Sequence, residues 1–342
     1  MPVPGAGVVL WSEYCLYLNV TMPTPKPAGQ KRPVLVWMHG GAFLGGSGSD
    51  YSTEQLAVRG DTVVVTVNYR LGIFGYFGHP GLGSAPPFGL ADQQAALRWV
   101  RANAERFGGD PGSVTLFGES AGALSICAHL TSPTAVGLFQ RAVLQSGSCL
   151  MSFPRGALGP GMPAYEPFAS ESDVQTAGAE AARQLGCTAG GGDEVLACLR
   201  GQSTDRLATA QLMQSFNRPA FGNALLPVAP GQALASGHFH RVPVIQGFEI
   251  EGPTRWFRGH VRVDQSSSSG GVLPSVRGQL CRQSPLFRLE GCPGVVSDQT
   301  DQPPRYFEGF EMTRTVEPRI GHASCGFRTN AGERCPPVIG DL

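Results

Sequence analysis

A serine set between glycines is the first residue pattern able to do covalent chemistry. Gly118-Glu119-Ser120-Ala121-Gly122 is a G-x-S-x-G pentapeptide. It follows the apolar run Val114 to Phe117 and leads into a stretch, Ala121 to Leu130, that can continue as a helix. At a sharp strand-to-helix elbow only small neighbours leave room for the strained serine. The hydroxyl then stands at a helix N-terminus, where backbone N–H groups favour negative charge. With 47 glycines in the chain, the pentapeptide alone is a weak sign; its place between strand and helix is what makes Ser120 a nucleophile candidate. A second piece, His39-Gly40-Gly41-Ala42-Phe43, follows another apolar run. A glycine-rich turn there can aim N–H groups at a developing oxyanion. Gly41 and Ala42 are the expected donors, with Ala121 as the third. Gly-Gly equally serves an ordinary strand-to-loop turn, so the weight lies in both pieces occurring in the right chain order.

These residues need a scaffold that brings strand ends together. Val34–Met38, Val63–Val67, Val114–Phe117, Ala142–Leu144 and Val242–Ile245 read as strands that are apolar on both faces. Such strands suit a sheet covered by helices on both sides. Asp92 to Phe107 carries Ala95, Ala96, Trp99, Val100 and Phe107 at helical spacing, and Gly108-Gly109-Asp110-Pro111 ends it. Alternating strands and helices predict an α/β fold with a mostly parallel sheet, its functional loops gathered at the carboxyl ends of the strands. Residues 152–237, with a helical piece from Val174 to Leu185, read as an insertion over that face. A Ser/Gly stretch, Ser266 to Gly271, suggests a boundary. The expected division is therefore 1–263 as the α/β domain and 264–342 as an unassigned, poorly ordered tail.

Composition excludes several classes. Lys plus Arg and Asp plus Glu both number 26, so no basic surplus asks for nucleic acid. No apolar run reaches the length of a membrane span. Met1 to Leu10 lacks the features of a signal peptide, so the default compartment is the cytoplasm. Nine cysteines are too few for a disulfide scaffold. Cys187 and Cys198 bracket a glycine-rich segment and can be a local disulfide or two ordinary thiols. Cys281, Cys292, Cys325 and Cys335 lack the close pairs a zinc site needs, so no metal is expected.

The sequence resembles the type-B carboxylesterase family, which includes the cholinesterases and bacterial esterases. The matching stretches are Ser12–Val20 (where the family usually has Asp in place of Tyr14), His39–Phe43, Val67–Gly72, Gly89–Gln93, Ala96–Val100, Phe107–Pro111, Val114 through the elbow, and Leu144–Gly147. The resemblance runs from about Ser12 to Arg258. It implies the α/β-hydrolase fold and hydrolysis of small-molecule esters through a serine acyl-enzyme, with no cofactor. It implies a Cys187–Cys198 disulfide and a supporting role for Ser146 beside the acid loop. The family acid sits before a glycine in Asp-Glu-Gly; here the segment is Gln246 to Gly252, so Glu251 is the match and Glu249 the alternative. The family histidine would fall beyond Leu342, and the N-terminal partner of Cys15 before Met1, which suggests a chain truncated at both ends. His260 lies too close to the acid loop, which leaves His322 as the substitute base. Relatives are often secreted. The rival readings are an impaired esterase fragment and a non-catalytic binding protein of the same fold; oligomeric state stays open.

Overall fold

Runs of β-branched residues build the middle of one sheet. The computed structural model describes residues 15–24, 29–157, 160–247 and 320–326. Its strands are β1 (Tyr17–Pro23), β2 (Arg32–Met38), β3 (Val63–Val67), β4 (Gly109–Glu119), β5 (Arg141–Gln145), a short pair β6 (Ala169–Ser170) and β7 (Ala220–Phe221), β8 (Val244–Gly247) and β9 (Ile320–Gly326). The large sheet has the order β8-β5-β4-β2-β3-β1-β9. All five residues of β3 are buried, as its unbroken Val/Thr run requires of a strand covered on both faces. The inner neighbours run parallel, whereas β1 is antiparallel to both β3 and β9. The register of β2 on β4 shifts between Arg32 and Val34, where Pro33 has no N–H to give the ladder.

Three details differ from the sequence reading. β4 begins at Gly109, so Asp110 and Pro111 enter the strand instead of standing before it. β8 is displaced two residues along the chain from the run beginning at Val242. β1 and β9 add two antiparallel strands that periodicity did not show, β9 coming from the stretch to which no elements were assigned.

The helices are α1 (Glu54–Gly60), α2 (Gly72–Tyr76), α3 (Phe88–Asn103), α4 (Ala121–Thr131), α5 (Glu171–Gln184), α6 (Gly192–Arg200), α7 (Thr204–Leu207), α8 (Ala210–Ser215) and α9 (Pro230–Ala235). All eleven residues of α4 are buried. It sits between two apolar cores, giving Leu124 and Ala128 to one and Ile126, Cys127 and Leu130 to the other. A helix enclosed on every side must satisfy its polar groups internally. Ser125 donates to the Ala121 carbonyl at 3.0 Å and accepts from Gln93 Nε2 at 3.0 Å. Gln93 Oε1 accepts from His129 Nε2 at 2.7 Å.

Cys187 and Cys198 are disulfide-bonded, with Cα atoms 5.5 Å apart. A second bond, Cys127–Cys149, was not anticipated; it ties α4 to the loop after β5 across a sequence separation of 22.

Candidate active site

Ser120 takes the N-cap position of α4 at φ 55° and ψ −118°. A non-glycine residue held there stores about 1–3 kcal/mol of strain, which the surroundings must enforce. They do so through both backbone groups: Ser120 N–H donates to the Gln145 carbonyl at 2.9 Å, and its carbonyl accepts from Leu124 N–H at 3.0 Å. The flanking glycines are obligatory for packing. A Cβ on Gly122 would lie 2.0 Å from the Met38 carbonyl oxygen, and one on Gly118 2.7 Å from the same atom. The elbow thus presses against the end of β2. Ser120 is half-buried, and the remaining N–H of the first turn, including that of Ala121, has no intrahelical acceptor.

The turn after β2 meets this elbow. A Cβ on Gly40 would be 3.3 Å from Ser120 Cβ. Gly41, Ala42 and Phe43 follow at φ 105°, 56° and 60°, three successive left-handed residues. Leu44 N–H and Gly45 N–H close the turn on the Gly41 carbonyl at 2.9 and 3.2 Å, and Gly72 N–H holds the Phe43 carbonyl at 2.7 Å. Gly41 and Ala42 are exposed, and among the described residues their N–H groups have no backbone acceptor. An exposed N–H pair beside a strained serine is the arrangement that can receive a carbonyl oxygen as it becomes anionic.

His39 precedes the turn and is almost wholly enclosed. Its Nδ1 lies 2.8 Å from the Gly40 carbonyl, and its ring stacks on Tyr69 at 4.3 Å. Burial holds its pKa below the usual histidine value, so the ring is neutral.

Ser146 also has positive φ, 52°, and its N–H donates to the Gly247 carbonyl at 2.7 Å. It therefore fastens the end of β5 to the end of β8, beyond which the segment carrying Glu249 and Glu251 begins. Both glutamates lie outside the described residues.

His322 lies in β9, opposite Thr21. Thr21 pairs with Val64, Val64 with Leu35, and Leu35 with Thr115. β9 is four strand spacings from β4, roughly 19 Å, and His322 is level with a residue well before the elbow. Among the described residues no histidine is hydrogen-bonded to Ser120, and no cluster of metal-ligand type occurs.

The carboxylesterase family model matches residues 4–267. Carboxylesterase 5A of Felis catus is 40% identical over 236 residues, covering 69% of this chain and 41% of the relative. Acetylcholinesterase of Gallus gallus is 44% identical over 225 residues, covering 64% of this chain and 27% of the relative. Among solved structures, a thermophilic PNB esterase aligns with a TM-score of 0.58 at 36% identity, covering 70% of this chain and 47% of that one. The chain spans less than half the length of these relatives.

Proposed function

This chain belongs to the carboxylesterase family, and on that footing we propose that it attacks carboxylic esters with Ser120 to form an acyl-enzyme. The observation that carries the reading is Ser120 at φ 55°, half-buried, against the exposed Gly41–Ala42 turn. Ser120 Oγ adds to the ester carbonyl carbon as its proton passes to a base, and the carbonyl oxygen becomes anionic as its π electrons move onto it. The N–H groups of Gly41, Ala42 and Ala121 face that charge. Collapse re-forms the carbonyl and breaks the ester C–O bond, the base returns the proton to the departing alcohol, and water later releases the acid by the same route. Ser146 braces the end of β8, and Glu251 is proposed as the acid that would orient a base. Incubation with a fluorophosphonate, followed by peptide mass spectrometry, tests the nucleophile. Labelling at Ser120 that disappears in Ser120→Ala is expected; an unlabelled folded protein would overturn the proposal.

With His322 paired opposite Thr21 in β9, a second reading of the same site is an impaired esterase. A serine without a base in reach is almost entirely protonated near neutral pH, which slows acylation and deacylation alike. Release of p-nitrophenol from p-nitrophenyl acetate no faster than by Ser120→Ala would support this reading, and release far faster would support full turnover.

A further inference from the structure

The Gly40–Gly41 pair is the easiest place in the turn for a peptide to rotate, because neither residue has a Cβ to resist it. Rotation would turn the Gly41 N–H to the opposite face of the peptide. Three successive carbonyls are nevertheless held. The Tyr69 hydroxyl donates to the His39 carbonyl at 2.6 Å. His39 Nδ1 donates to the Gly40 carbonyl at 2.8 Å. Leu44 N–H donates to the Gly41 carbonyl at 2.9 Å. A carbonyl oxygen only accepts, so Nδ1 carries the proton of the neutral ring. Nε2 is buried and, among the described residues, has no hydrogen-bond partner. Leaving it so is costly, which argues that the ring is kept for what Nδ1 does. The face-to-face stack with Tyr69, 16° from parallel, fixes the ring that makes the bond.

In a planar trans peptide the C=O of one residue and the N–H of the next point in opposite directions. Holding the Gly40 oxygen on the His39 side therefore turns the Gly41 N–H to the other side. Holding the Gly41 oxygen does the same for the Ala42 N–H. We propose that His39, seated by Tyr69, is a positioning residue that sets the direction of the Gly41 N–H by gripping the Gly40 carbonyl from behind. The inference rests on the esterase reading of the site. His39 touches no substrate; it keeps the oxyanion donor aimed before substrate arrives, so its loss falls on the transition state and not on ester binding.

His39→Phe keeps the ring and the stack but removes the donor. His39→Asn restores an N–H near the Nδ1 position. In the full chain, with p-nitrophenyl butyrate as substrate, His39→Phe should lose about ten- to a hundredfold in kcat with KM unchanged. His39→Asn should recover most of that loss. An unchanged kcat in folded His39→Phe, or a loss confined to KM, overturns the inference. If His39→Phe does not fold, Tyr69→Phe carries the test, with a smaller loss in kcat at constant KM expected and no loss overturning it. A wild-type protein that neither labels nor turns over would strike the esterase reading instead. The crystal structure of His39→Phe then still decides: a rotated Gly40–Gly41 peptide supports the grip, and an unmoved one refutes it.

Discussion

The centre of the sheet and its β9 edge treat their signature residues in opposite ways. At the centre, β2 and β4 are parallel neighbours, so the loops that follow them leave from the same end and meet. His39 to Phe43 and Gly118 to Gly122 are far apart in sequence yet pack within van der Waals contact. At the edge, β9 runs antiparallel to β1, and His322 is paired opposite Thr21, inside the ladder instead of past its end. A motif gains functional meaning from the strand end it occupies. His322 has the residue type of a base and stands within a strand four spacings from β4.

The sharpest way to break this comparison is to crowd the central contact. In Gly122→Ala the new methyl would meet the Met38 carbonyl oxygen at 2.0 Å and its carbon at 2.8 Å. Backbone atoms cannot step aside as a flexible side chain would. A destabilisation of about 3 kcal/mol is expected, read as a lower urea midpoint at unchanged m-value. A wild-type midpoint would mean that the elbow and the β2 turn do not touch.

A smaller effect per pH unit should come from the last turn of α4. Burial pushes the His129 imidazole down to about 3, against 6.5 for the unperturbed group. Between those values the unfolded chain takes up a proton that the folded chain refuses. Stability is therefore complete above pH 6.5 and falls as pH drops toward 3, by at most about 1.4 kcal/mol per pH unit from this residue. His129→Gln keeps an N–H for Gln93 and should flatten that part of the pH–stability curve. An identical curve in the variant would show that the buried chain of hydrogen bonds under α4 does not exclude the proton.

The smallest effect is expected at the edge. His322→Ala should leave the rate of fluorophosphonate labelling and any esterase turnover unchanged. A fall matching that of Ser120→Ala would make His322 the base, since members of one catalytic unit fail together. That result would put β9 beside the elbow and end the distinction between the two regions.

Much of the centre was legible in the sequence because its information is local. The runs that became β2, β3 and β5 are continuous and apolar, the α3 face repeats at helical spacing, and the elbow glycines mark a turn too tight for a Cβ. The positive φ at Ala42 and Phe43 was not legible, since neither residue type announces it; the closing bonds from Leu44 and Gly45 impose it. His39 stood inside a quoted motif, yet its partner Tyr69 is set beside it only by the pairing of β2 with β3. Cys127 and Cys149 show no local pattern. They meet because the buried helix α4 lies against the loop leaving β5.

By itself the sequence determined the central strands, the helical face of α3 and the elbow with the serine it presents, because periodicity and glycine placement act over a few residues. Only the tertiary structure decided which strand ends adjoin, and so that Gly40 packs at Ser120 while the backbone of His322 pairs opposite Thr21. Strand order depends on non-local pairing, which leaves no mark in the spacing of residues along the chain.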